Sequence, residues 1–356
     1  MNIVEATRRY ETWLITSAFV VQKNLLRKHE LMRGSPFAFL RASFYRWAQI
    51  WPEICSDLYS APRVLAVADL HVENFGTWRD AEGRLVWGIN DFDEAFPLPY
   101  TNDLVRLAAS ALLATAENRL ALYPKEACAA ILAGYLKGLE AGGAPFVLEE
   151  SHKHLRAMTF NSLRNPRRFW RQLLSHEKLR TIPKPVSKIF DALMPESTFR
   201  YQLFSRVSGL GSLGKFRAVA VADCSGGKIA REVKALGPSA CVWAGGARPE
   251  RIFYQPLLRR AARSHDPFLQ VKEPWLIRRL APHCCRIELD DLPKKRDEFR
   301  LLHAMGWETA NIHLGSHDAA TKIRRDLAKR RATWLRDAAE AMLKATRRDW
   351  KEWKKA

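Results

Sequence analysis

The chain has 356 residues, 47% of them hydrophobic, and a formal net charge of +20. That is material for one large domain or two lobes around a sizeable core, and it reads as globular rather than disordered. Six cysteines without a C-x-x-C pair or metal-ligand spacing speak against a disulfide scaffold or zinc site, and with no secretory h-region a reduced, cytoplasmic setting is expected.

In chain order, residues 1–51 have a helical pattern, interrupted by a turn at 33–41, RGSPFAFLR, marked by Gly34 and Pro36. The apolar stretch at 13–21, WLITSAFVV, is far short of the roughly 20 residues that a membrane span requires. Residues 63–70, RVLAVADL, and 84–91, RLVWGIND, are short, apolar and β-branched; with the turn RDAEGR between them they are expected to be neighbouring strands of a hairpin-like unit. A helix follows from capping residues at 101–103, and another runs from Pro124 to a stop at Gly142 and Gly143. Residues 151–199 read as basic, helical and proline-interrupted. A β-rich region spans 204–236, with a glycine-rich turn and then a Gly226-Gly227 turn; residues 249–264 read as helix, and PWLIRRLA and CCRIEL as two more strands. From Pro293 onward helix is expected.

The charge is uneven. It gathers at 164–174, RNPRRFWRQLL, and at 322–355, which also carries Trp334, Trp350 and Trp353. Such a surface attracts nucleic acid, anionic lipid or a polyanionic substrate, and it competes with a plainer reading, a solvated helix face anchored by tryptophans.

Chemistry concentrates in two places. GLGSLG, with Gly209, Gly211, Ser212 and Gly214, lies between strand-like runs, the setting of a glycine hairpin over phosphates rather than of a dinucleotide fold. Further on, REVKAL puts Lys234 inside an apolar strand, where a lysine is costly unless it meets an anion. Far earlier, DLHVEN places Asp69 and Asn74 at D-x₄-N spacing, and the next strand ends in Asp91. Phosphoryl transfer uses this set: an aspartate facing the acceptor hydroxyl, an asparagine and a second aspartate on Mg²⁺, and a lysine on the phosphates. Taken singly, Asp69 is equally a turn cap and Asn74 a loop brace.

ADLHVENFG followed by INDFDEAFPLPYTNDLVRLAAS resembles the catalytic and metal-binding segments of aminoglycoside phosphotransferases and choline kinases. It is still closer to the bacterial domain of unknown function 2252, thought to be kinase-like, with further matches at SPFAFLRA, SGLGSLG, EVKAL, WLIRRL and AMGWETANIHLGS. The resemblance implies Asp69 as catalytic base, Asn74 and Asp91 as metal ligands, Lys234 and the glycine turn on ATP, and supporting roles for His71, Asp93 and Asp103. Glu250 is the best candidate for the glutamate that usually pairs with the lysine. The chain departs from the pattern at Val67, where a histidine is usual, at Ala68, where glycine is usual, and in DFD in place of D-F-G.

Because the catalytic segment precedes the glycine turn, the implied fold is α+β, two-lobed and protein-kinase-like (aminoglycoside phosphotransferase-like), in circular permutation. Residues 1–202 would form a helical catalytic lobe, 203–292 a small β-rich nucleotide lobe, and 293–356 helices returning to the first. Residues 299–314 should then pack beside Asp69. The implied activity is transfer of the ATP γ-phosphate, with Mg²⁺, to a hydroxyl or amine; the basic 164–171 stretch favours an anionic acceptor. A nucleotide-binding pseudokinase, a nucleic-acid-binding protein and AMP transfer are the alternatives.

Overall fold

A computed structural model describes residues 1–149, 151–159, 165–195, 200–246, 251–284, 286, 288–292 and 297–356. It is an α+β fold in which three small antiparallel sheets are set among helices from both ends of the chain. Helices α1 (Ile3–Ser17), α2 (Gln22–Gly34), α3 (Pro36–Ala42), α4 (Phe44–Ile54) and the single turn α5 (Ser56–Tyr59) open it. The turn expected at 33–41 shrinks to a joint. Gly34 ends α2, the Ser35 hydroxyl accepts from the Ala38 N–H, and Pro36 starts α3, where its missing N–H costs nothing.

Strands β1 (Arg63–Ala66), β2 (Phe75–Arg79), β3 (Leu85–Ile89) and β4 (Phe96–Pro99) correct the expected pairing. β3 pairs with β2, not with β1, and β1 pairs with β4. The RDAEGR turn does close a hairpin: the Asp80 carboxylate accepts from the Glu82 and Arg84 N–H groups, and Gly83 takes a φ of 75°. Its first strand is the aromatic run FGTWR, which follows the polar DLHVEN so closely that it reads as loop. Helices α6 (Tyr100–Ala116) and α7 (Pro124–Glu140) follow, and β5 (Phe146–Val147) adds a third strand to β3.

After α8 (Lys153–Met158), α9 (Pro166–Leu174) and α10 (Lys184–Leu193) come β6 (Gln202–Ser205), β7 (Arg217–Cys224) and β8 (Gly227–Ala235), then α11 (Ala240–Ala244), α12 (Tyr254–Arg260), β9 (Gln270–Lys272) and β10 (Trp275–Leu280). The five strands form one sheet in the order β6-β7-β8-β10-β9. β7 and β8 meet at a two-residue turn, Ser225 and Gly226, both at positive φ, which suits the twist of a hairpin. CCRIEL is not a strand among the described residues. Arg286 makes an isolated bridge to Gly76 at the outer edge of β2; Cys285 and Ile287 lie outside the described residues. Two helices clothe the sheet. Val186 and Phe190 of α10 pack on Ala218, Val233 and Ile277, while Leu173 of α9 packs with Phe204, Val219 and Leu280 on the opposite face.

The chain returns through α13 (Glu298–His313), α14 (Ala319–Leu327) and α15 (Trp334–Lys355). Trp334 and Trp353 of α15 are buried in the main core, so this basic helix is anchored by its apolar side. No helix among the described residues is long and apolar enough to cross a membrane. α13 crosses α7 backbone to backbone: a side chain at Gly134 would overlap the His303 carbonyl oxygen, and one at Gly306 the carbonyl oxygen of Ile131. From α13, Glu308 reaches β3 and accepts from the Ile89 N–H at 3.2 Å and from Asn311 Nδ2 at 2.7 Å.

Burial pushes the Glu308 carboxyl from 4.5 up to about 7, against the pull of Arg263. Between those two values the folded chain holds a proton that the unfolded chain releases, so this group makes stability fall as pH rises through the window. Glu308→Gln should therefore flatten the pH dependence of chemical denaturation there by up to about one proton. An unchanged slope would assign the titration to another group.

Candidate active site

The loop after β1 is held from behind. The Val67 and Ala68 N–H groups donate to the Asp103 carboxylate at 2.7 and 2.9 Å. Asp103 stands in the first turn of α6, fully buried, and His313 Nε2 at the end of α13 lies 3.0 Å from it. The other ring nitrogen of His313 is 2.8 Å from the Tyr135 hydroxyl of α7. Three helices thus fix two backbone groups immediately before Asp69. Ala68 itself has a φ of 69°, a left-handed conformation that strains any residue with a Cβ. It stands where the resembled pattern has glycine.

Asp69 turns its carboxylate into a cleft, where Arg106 Nε donates to it at 2.9 Å and Arg106 Nη2 makes a second, shorter bond. Arg106 lies three residues beyond Asp103, hence on the same face of α6, so one helix supplies both brace and counter-charge. It is fully buried, with its guanidinium over the Phe44 and Trp47 rings. Burial pushes the Asp69 carboxyl up to about 7, with Arg106 pulling the other way.

Asn74 ties two loops together. Its Nδ2 donates to the Asp69 carbonyl at 3.2 Å and to the Asp91 carbonyl at 3.1 Å. Its Oδ1 is buried and has no hydrogen-bond partner among the described residues. Asp91 follows β3, and there the lysine of the distant β8 arrives: Lys234 Nζ is 3.2 Å from Asp91 Oδ2 and 2.6 Å from Asp93 Oδ2. Burial disfavours both carboxylates, but Lys234 overcomes it at Asp91 and holds that group ionised, while Asp93, facing Asp91, is pushed up.

The glycine turn closes the cleft from above. At Gly211 a Cβ would lie 3.0 Å from Asp69 Oδ2 and 3.1 Å from the Arg41 carbonyl, so a side chain there would crowd the carboxylate. Gly214, at a φ of 115°, fits over Leu25, and its carbonyl accepts from the Val21 N–H at 2.7 Å. Lys28 donates to the Gly211 carbonyl at 3.2 Å. The chain between α1 and α2 therefore fastens this turn, a contact that nothing in the local sequence announces.

Residues 21–189 match a family described as an uncharacterized protein conserved in bacteria, DUF2252. No curated protein and no solved structure matches the chain. The DUF2252 match takes in Asp69, Asn74, Asp91 and Asp103, and it ends before the glycine turn and Lys234.

The structure brings Asp69, Asn74, Asp91, Asp93, Lys234 and the glycine turn into one cleft, with His71 on its wall. His71 is buried and neutral, its value lowered well below the usual by burial and by Arg41 and Arg106; its Nδ1 accepts from the Glu73 N–H at 3.2 Å. Glu73 is a buried anchor, pairing with Arg41 and, at 2.5 Å, with Arg119. Glu250 lies outside the described residues, as does Arg164. Sequence reading missed Arg106, Arg206, Arg217, Arg278 and the buried Glu232. Only Glu232 carried a signal: in REVKAL it is two residues before Lys234, hence on the same strand face.

Proposed function

We propose that the chain is an ATP- and Mg²⁺-dependent phosphotransferase of kinase-like design, moving the γ-phosphate to a hydroxyl or amine acceptor. The observation that carries this reading is the meeting of Lys234 with Asp91, beside Asn74 and Asp69, across 143 residues of sequence. The five-stranded sheet would act as the nucleotide lobe and the helices of both chain ends as the catalytic lobe, an order of parts permuted relative to an ordinary kinase.

The donor set suits Mg²⁺. Among the described residues Asn74 Oδ1 is an orphaned buried oxygen, and Asp91 is an ionised carboxylate whose side chain is 35% exposed. Among the described residues no group of three or more His, Cys, Asp or Glu could enclose a metal, and Mg²⁺ characteristically takes one or two protein oxygens and completes its shell with water and phosphate. Bound between Asn74 and Asp91, it would offset charge on the phosphate oxygens. Lys234 would exchange a carboxylate for phosphate oxygens, and the glycine turn, free of side chains at Gly209, Gly211 and Gly214, would lie close against them. Asp69, held near neutrality by burial, would orient the acceptor and take up its proton.

Asp91→Asn should lose at least about 100-fold in Mg²⁺-dependent ATP turnover and require more Mg²⁺ for half-maximal rate. Turnover with unaltered metal dependence would refute the assignment. The close seat of Gly211 on Asp69 favours a second reading, a module that binds nucleotide without turnover. A melting shift with Mg²⁺ and ATP, with no ADP formed against a broad panel of acceptors, would decide for it.

A further inference from the structure

One face of the five-stranded sheet carries a second charged cluster, which the proposed chemistry does not use. Glu232 is on β8 two residues before Lys234, so it shares that face and stands about 7 Å along the strand. It is fully buried, and three guanidiniums converge on it: Arg206 Nη1 at 2.7 Å, Arg217 Nη1 at 3.1 Å and Arg278 Nε at 2.5 Å. Register explains the gathering. Arg278 of β10 is directly opposite Glu232, Arg217 of β7 is opposite Lys234, and Arg206 follows the end of β6.

The charges do not balance. Among the described residues three cations share one carboxylate, and Asp91, a second carboxylate that acts on Arg278, is already held by Lys234. Glu232 itself is kept ionised by the three arginines against its burial, and burial together with Arg278 and Arg217 works against the charge on Arg206. The donors do not balance either. Among the described residues Arg206 makes hydrogen bonds through Nη1 only and Arg278 through Nε only, while Arg217 Nη2 reaches the Ser212 hydroxyl of the glycine turn at 3.0 Å. The three arginines line the cleft and the carboxylate stands behind them. Arg206 and Arg278, planar guanidiniums anchored at one edge and open at the other beside Arg217, fit a tetrahedral oxyanion with two charges.

We propose that Arg206, Arg217 and Arg278 form a second anion subsite of this cleft, one that takes a phosphate group other than the one met by Lys234. The proposal deepens the phosphotransferase reading but does not need turnover. The phosphate belongs either to the far end of a polyphosphate chain that also touches Lys234 or to a phosphorylated acceptor, and the chemistry of the subsite is the same for both.

Calorimetric titration of the full chain with inorganic tripolyphosphate and with inorganic phosphate, both without Mg²⁺, tests it. Arg206→Gln and Arg278→Gln should each weaken binding at least tenfold. Arg278→Lys, which keeps the charge and loses the planar fork, should fall between. Unliganded Arg206→Gln should melt no lower than the parent, since it relieves repulsion, whereas an arginine with a structural role alone would lower the melting point. Binding that depends on the arginines for tripolyphosphate but not for phosphate assigns the subsite to the donor chain; equal dependence for both assigns it to a phosphate monoester. No tripolyphosphate binding by the parent, or unchanged affinity in both glutamine variants, overturns the subsite. These outcomes separate from those above: arginine-dependent binding without any ATP turnover keeps the subsite and discards the phosphotransferase, and full turnover in both glutamine variants does the reverse.

Discussion

Asp69→Asn is expected to lower Mg²⁺-ATP turnover by about 10²- to 10⁴-fold, the usual worth of a positioned general base. The substitution is nearly isosteric, and the asparagine Oδ1 can still accept from Arg106 Nε, which now donates to Asp69 at 2.9 Å. On the proposed phosphotransferase reading, what it removes is the capacity to take a proton from the acceptor. It also leaves the fully buried Arg106 without its counter-charge, and losing one partner of a buried pair costs about 3–5 kcal/mol. The rate should therefore be measured well below the melting temperature of the variant. A melting shift with Mg²⁺ and ATP should persist, because Asn74, Asp91 and Lys234 are intact. Turnover within threefold of the parent, in a variant shown to be folded, would remove Asp69 from the chemistry.

Gly134→Ala should destabilise the chain by about 3 kcal/mol, at the upper end of overpacking effects, because its obstacle is backbone. A Cβ at that position would lie 2.6 Å from the His303 carbonyl carbon and 2.9 Å from its Cα, and no rotamer change moves those atoms. Gly306 faces the same crossing from the other side, 2.9 Å from the Ile131 carbonyl carbon. Gly306→Ala should cost a similar amount, and the double variant less than the two together, since α13 need be displaced only once. The displacement also reaches the site: α13 carries His313, which holds Asp103, which holds Val67 and Ala68. Denaturation curves of the three variants check the stabilities; strict additivity would mean that the two glycines do not share one contact.

Much of this was open to reading residue by residue. D-x₄-N behind an apolar run, the aspartate ending the next apolar run, and a lysine in a strand after a glycine-rich turn are local patterns, and each was legible. Pairing was not. Residues 84–91 are apolar and β-branched enough to be a strand, but nothing in them says whether the partner is Arg63–Ala66 or Phe75–Arg79, because a run buried on both faces marks no preferred register with either. The arginines escaped notice for a related reason. In so basic a chain, Arg106, Arg206, Arg217 and Arg278 look like ordinary surface charge, and only burial beside a carboxylate distinguishes them.

By itself, therefore, the sequence determined the residue types that meet in the cleft, the existence of most helices and strands, and the order in which D-x₄-N and the glycine turn follow along the chain. Tertiary structure alone decided that Lys234 meets Asp91, that Gly211 sits on Asp69, that α13 reaches Asp103 through His313, and that three arginines share Glu232. Local pattern is set by sterics and hydrophobic period over a few residues, whereas these contacts depend on which surfaces the whole core leaves facing one another. Their electrostatic weight exists only once burial has removed the water that would screen it.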